Sequence, residues 1–315
     1  MSVLTDKNAG ANVLLMGNEA IVRGALEAGV KVAAGYPGTP SSEIIENLAS
    51  VSQERNIYVE WSVNEKVSLE VAAAGSFAGL RSLCVMKQNG VNVASDFLLH
   101  LALSGTRAGM VLVPCDDPGA ISSVNEGESR HFARLVEVPL LEPGSFQEAR
   151  EMTKWAFELS EQLRSLVMVR SVTRLSHASG NVTLGELPDT EVKAYFKYDG
   201  NILDAQVGPV ITAPVAMRHA NQQKKLKQAA EIFETSKFNT YSGPEEPELL
   251  IITSSACNLY SVEAVSLLGL ESRVGILKLG TTWPLPEKLV KSHIAKAKAV
   301  LFVEEVLPFM EENIK

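Results

Sequence analysis

Cysteine is scarce in this 315-residue chain: Cys84, Cys115 and Cys257 stand far apart, each inside an apolar run. Their spacing excludes a disulfide framework and a zinc site, and their number falls short of an iron–sulfur cluster. They are expected to be small buried hydrophobes. Basic charge is in deficit too, with 29 Lys and Arg against 37 Asp and Glu and a net charge of −8. That argues against a surface for nucleic acid, which needs clustered cations. No apolar run approaches the ~20 residues of a membrane span, and the start, MSVLTDKNAG, has no apolar core behind a basic stretch. No membrane partner is expected, and the protein is read as cytoplasmic. Also missing are G-x-x-x-x-G-K-[ST], G-x-G-x-x-G, H-E-x-x-H and a G-D-G followed by Asn, so neither a phosphate cradle nor a metal site is written here. His131 and His177 lack ligand spacing and are treated as ordinary residues.

What is present is an ordinary globular composition, 46% hydrophobic and 21% charged, in a chain long enough for two domains. Short apolar runs alternate with longer amphipathic stretches, the pattern of parallel strands joined by helices. Strands are expected over 30–35, 57–62, 82–86, 109–114 and 166–171, and helices over 17–28, 42–52, 64–79, 91–104 and 145–163. The fold class is α/β, a doubly wound, mostly parallel sheet over 1–177, with a second, smaller α/β domain over 248–315 that reads as incomplete. Residues 178–247 read as a connector containing one basic helix, 216–237, whose charges suit a solvated face.

Ligands of open parallel sheets bind where strands end and helices begin. Three such turns stand out. In AAGYPGTPSSEI (33–44), Pro37 and Pro40 stiffen the backbone, Gly35 and Gly38 permit close approach, and Thr39 is presented. A rigid turn capped by Ser41 or Ser42 fits equally well. In VEWSVNEKVSLEVAAAGSFAGL (59–80), Asn64 and Glu65 open a helix rich in Ala and Gly. Glu65 suits the helix dipole on general grounds, and Glu60 and Glu70 do not share its place at the turn. In PCDDPGAISSVNEGESRHF (114–132), a polar loop carries Arg130, a cation able to pair with a carboxylate.

At these turns the sequence resembles a known family. LLMGNEAIVRGALEAGVKVAAGYPGTPSSEIIENLA, VEWSVNEKVSLEVAAAGSFAGLRSLCVMKQNGVNVASD, LVPCDDPGAISSVNEGESR and MVRSVTRLSH are similar to the α subunits of indolepyruvate ferredoxin oxidoreductase, within the 2-oxoacid:ferredoxin oxidoreductases. VGILKLGTTWPLPEKLV and VLFVEEVLPFMEE resemble their second, transketolase C-terminal-like domain. The resemblance implies a thiamine-diphosphate pyrimidine-binding fold and oxidative decarboxylation of a 2-oxoacid to an acyl-CoA, with electrons passed to ferredoxin. It implies Glu65 as the carboxylate bonded to the aminopyrimidine N1′, with Gly38 and Asn64 beside the cofactor. It places Thr39 near the 2-oxoacid, and Arg130 is the candidate clamp for the substrate carboxylate. The diphosphate-binding domain with Mg2+, and the ferredoxin-like region with 4Fe-4S clusters, are expected on a partner domain or subunit of a hetero-oligomer. An excised piece and a split-gene subunit both remain open. The family's third loop reads closer to HSSQNEQDSR. Ile121, Val124, Gly127 and Glu128 depart from it, which leaves the 2-oxoacid open among arylpyruvates, pyruvate, branched-chain acids and arylglyoxylates, and leaves a non-catalytic scaffold as a rival.

Overall fold

The apolar runs become strands whose alternate residues feed two different cores, the arrangement that a sheet covered on both faces demands. The computed structural model describes residues 2–189, 191–196 and 211–315. The first stretch runs β1 (Asn12–Met16), α1 (Gly17–Glu27), β2 (Val32–Gly35), α2 (Ser42–Arg55), β3 (Tyr58–Trp61), α3 (Glu65–Phe77), β4 (Ser82–Lys87) and α4 (Gln88–Ser104). It continues through β5 (Met110–Asp116), α5 (Arg130–Val136), β6 (Leu140–Leu141), α6 (Phe146–Leu163), β7 (Val167–Val169), β8 (Ser171–Val172), α7 (Thr173–His177) and β9 (Ser179–Thr183). After α8 (Val215–Phe233) come β10 (Thr240–Ser242), β11 (Leu249–Thr253), α9 (Cys257–Leu267), β12 (Val274–Lys278), β13 (Thr281–Trp283), α10 (Glu287–Ile294), β14 (Ala299–Val303) and α11 (Phe309–Ile314).

The main sheet has the order β13-β6-β7-β5-β4-β2-β3, with β8 also paired to β5. All its pairings are parallel except that of β13 with β6. Leu83 and Val85 of β4 join one core with α1, α2 and α6, while Cys84 and Met86 join the other with α3 and α4. The doubly wound α/β class expected from the alternation is therefore the observed one. All three cysteines are buried and unbridged, and burial pushes their thiols up.

Several features departed from the sequence pattern. β1 does not enter the main sheet; it pairs antiparallel with β9, which lies in the stretch read as connector. The basic helix α8 is not merely solvated, since Ala229 and Phe233 are fully buried in the first core and Gln222 Nε2 donates to the Val136 carbonyl. Of the short extended pieces expected over 180–201, β9 takes the first residues, and 190 and 197–201 lie outside the described residues. The second sheet, ordered β10-β12-β11-β14, shares its core with the first: Leu250, Ile252, Leu277, Phe309 and Met310 pack in one cluster with Leu98, Ala133 and Met168. β13 leaves the second stretch and extends the main sheet. No described helix is long and apolar enough to cross a membrane.

Candidate active site

Register brings the expected turns together. Gly35 pairs with Trp61 of β3 and Val85 of β4, and Lys87 pairs with Cys115 of β5, so four neighbouring strands release their chains at one edge. The first turn is held by its own polar groups. Gly38 N–H donates to Ser42 Oγ at 2.9 Å, Ser41 Oγ donates to the Gly38 carbonyl at 2.7 Å, and Asn18 Nδ2 donates to the Pro40 carbonyl at 2.8 Å. The serines thus brace the loop, and neither side chain caps the helix. Thr39 is half-buried. The close approach that Gly38 permits is to Lys87: a Cβ on Gly38 would stand 2.9 Å from Lys87 Cδ.

At the second turn Asn64 is the N-cap of α3, with Oδ1 accepting from Val67 N–H at 2.9 Å. Glu65 is therefore fixed as the first helical residue, and it is only 9% exposed. Among the described residues no hydrogen bond or ion pair reaches its carboxylate. Glu60, the nearest rival acid, is engaged by the hydroxyls of Ser62 and Tyr58, which hold its carboxyl below the usual range. The wall facing Glu65 is Gly90, where a Cβ would stand 2.5 Å from Glu65 Cγ and 2.8 Å from Oε1. A buried carboxylate lacking a partner is costly. Glu65 is therefore a carboxylate that fits a ligand donor.

The third loop is pinned by Asp117, whose carboxylate accepts from Ser122 N–H and Ser123 Oγ at 2.8 Å each and from Thr173 Oγ1 at 2.7 Å. Ile121 and Val124 project from it, 76% and 96% exposed. Gln88 Nε2 ties the loop to the start of α4 through Ser123 Oγ at 3.2 Å.

The structure places Arg130 inside the protein rather than in an open cleft. Its guanidinium is 1% exposed: it pairs with Glu128, reaches Glu304 Oε2 at 2.8 Å, and donates to the carbonyls of Glu305 at 2.7 Å and Leu307 at 3.0 Å. A cation so enclosed is engaged by acids and carbonyls of its own chain. Beside it Arg170 donates to Asp116 at 2.6 Å and Glu142 at 2.7 Å, all three buried. Burial works against the Glu142 charge, yet Arg130 and Arg170 hold its carboxyl below the usual range, while burial raises Glu128 and Glu305. Arg130 is thus a bolt between the main sheet edge and the end of β14. The residues the sequence reading overlooked are Lys87, Gln88 and Gly90; their signal was a polar KQNG following an apolar strand.

The family described as pyruvate flavodoxin/ferredoxin oxidoreductase, thiamine diP-bdg, matches residues 23–237, which include every turn at this edge. The chain belongs to that family. It is 43% identical over 314 residues to an indolepyruvate oxidoreductase subunit IorA of Pyrococcus horikoshii, covering 99% of this chain and 48% of that protein. It is 44% identical over 314 residues to the IorA subunit of Methanothermobacter marburgensis, covering 99% and 49%. The chain thus spans about half the length of the curated relatives it matches. Among solved structures, a 2-oxoglutarate:ferredoxin oxidoreductase from Magnetococcus marinus has the same fold, with a TM-score of 0.75 over 92% of this chain and 57% of that one at 17% identity.

For a thiamine-diphosphate-binding family, the test is whether these residues suit a part of that cofactor. They suit the pyrimidine, a flat ring with nitrogen atoms that can share a proton with a carboxylate. Glu65 offers that carboxylate, and Gly90 leaves room beside it. Among the described residues no group of three or more His, Cys, Asp or Glu is placed to hold a metal ion.

Proposed function

We propose that this chain forms the pyrimidine-side wall of a thiamine-diphosphate site in a cytoplasmic 2-oxoacid:ferredoxin oxidoreductase of the indolepyruvate type. The substrate would be an arylpyruvate, the product an acyl-CoA, and the electron acceptor ferredoxin. A partner domain or subunit would carry the diphosphate-binding half with Mg2+ and the 4Fe-4S clusters. The observation that carries the reading is the buried Glu65 carboxylate, which lacks a protein partner among the described residues. Its relatives' names support the substrate class.

When bound, thiamine diphosphate supplies the electron sink that decarboxylation of a 2-oxoacid requires. This chain's residues do the rest of the local work. Asn64 fixes the helix start that aims Glu65, and Glu65 holds the proton at the ring nitrogen N1′. Thr39 lies in the turn braced by the hydrogen bonds among Gly38, Ser41 and Ser42, and its hydroxyl would serve the substrate side.

Glu65→Gln in the reconstituted complex should lower viologen-coupled turnover of indolepyruvate by ~10²–10⁴-fold, the range for a lost proton-transfer group. Subunit assembly should persist and thiamine-diphosphate affinity should fall. Near-normal turnover would sink the proposal, and a wild-type complex that binds no thiamine diphosphate would mark a scaffold instead. The exposed Ile121 and Val124 favour testing pyruvate, a branched-chain 2-oxoacid and an arylglyoxylate alongside.

A further inference from the structure

With Arg130 locked, the 2-oxoacid carboxylate needs another cation, and the edge offers few. Arg130 and Arg170 are consumed by buried acids, Lys66 pairs with Asp96 at 2.7 Å, and Arg174 lies over the Tyr260 ring. Lys87 is different. Its methylenes lie on Gly38, next to Thr39, and its ammonium donates to one neutral acceptor, the Ser122 carbonyl, at 3.2 Å. No carboxylate pairs with it among the described residues. The acid whose field it feels, Asp117, already has both oxygens taken by Ser122, Ser123 and Thr173. Lys87 is also the residue before the first turn of the 17-residue helix α4, whose positive end adds to the potential that an anion would meet there.

We propose that Lys87 is the residue that receives the substrate's carboxylate, with Thr39 beside it. This rests on the reading of the chain as part of a 2-oxoacid oxidoreductase. Two facts make the assignment specific. The glycine at 38 is what lets the lysine stem lie flat over the turn that carries Thr39, and the Ser122 carbonyl holds the ammonium between that turn and the third loop. Lys87 is half-buried, and among the described residues its ammonium is bonded only to a backbone carbonyl, so a carboxylate replaces a weak acceptor with a strong one. Selectivity follows: an acid is preferred over the isosteric amide, which cannot form the charged pair.

The test uses the reconstituted complex carrying Lys87→Met or Lys87→Arg. Lys87→Met should raise KM for indolepyruvate by ~10–100-fold, the range for one charge-assisted hydrogen bond, with a smaller fall in kcat and thiamine-diphosphate binding retained. Indole-3-lactate, an unreactive 2-hydroxy acid, should inhibit the wild type more strongly than its amide does, and Lys87→Met should erase that preference while Lys87→Arg keeps it. An unchanged KM and an unchanged acid-over-amide preference in Lys87→Met would overturn the assignment alone. A wild-type complex that neither turns over nor binds 2-oxoacids would overturn the parent reading as well.

Discussion

Over β2, β3 and β4 the carboxyl edge of the main sheet leaves Glu65 and Lys87 without a charged partner among the described residues, next to the exposed Tyr36, Trp61 and Val63. Over β5, β6 and β7 the same edge buries Asp116, Glu142, Arg170 and Arg130, with Arg170 paired to the two acids and Arg130 to Glu128 and Glu304. The residue types are alike; the cover differs. The second sheet and the chain after β14 close the second half, and in that low-dielectric setting every charge must be paired. Among the described residues the first half has no such cover, and Glu65 and Lys87 lack a charged partner there. Side-chain chemistry alone does not separate two roles for Arg130, because an arginine on a loop at a sheet edge suits a substrate clamp and an internal bolt equally well.

The sharpest way to break this comparison is Arg130→Ala. It strands Glu128 and Glu304, both nearly inaccessible, and should cost ~3–5 kcal/mol of stability in thermal or denaturant unfolding. A variant that unfolds like the wild type but loses substrate affinity would move Arg130 back to the open half. Next in size is Gly90→Ala. The added methyl meets Glu65 head-on, so thiamine-diphosphate affinity of the assembled complex should drop by ~10-fold or more, while overpacking costs ~1–3 kcal/mol. Unaltered affinity would mean that Glu65 does not need the space beside Gly90.

The smallest effect is expected from Glu305→Gln. Burial raises the Glu305 carboxyl above its ordinary value of 4.5, with Arg170 pulling the other way. A raised folded value gives a stabilisation that is complete below the unfolded value and lost as pH climbs through the folded one. Glutamine has no such loss, so Tm of the variant relative to the parent should climb with pH above 4.5, on the order of 2–4 °C. A difference that shrinks with rising pH would show that Glu305 is held charged by the arginines.

Several things were readable in the sequence because they depend on local order. Strand positions followed apolar runs, and the start of α3 at Glu65 followed the Asn64 cap, whose hydrogen bond spans three residues. Glu65 and Thr39 were locatable because each sits in a turn adjoining its own strand. What escaped depends on contacts across the chain. β1 pairs with β9 across more than 160 residues, and β13 crosses from the second stretch into the main sheet, neither of which a local pattern encodes.

By itself, then, the sequence determined the doubly wound class, the turns that line the edge and the acid that opens α3, because apolar periodicity and helix capping act over a few residues. Only the tertiary structure decided which cation serves which role. Arg130 meets Glu304 from 174 positions away and is paired in the interior, whereas Lys87 is laid over Gly38 from a neighbouring strand and has no carboxylate partner among the described residues. Electrostatic pairing depends on distance and burial rather than on sequence separation.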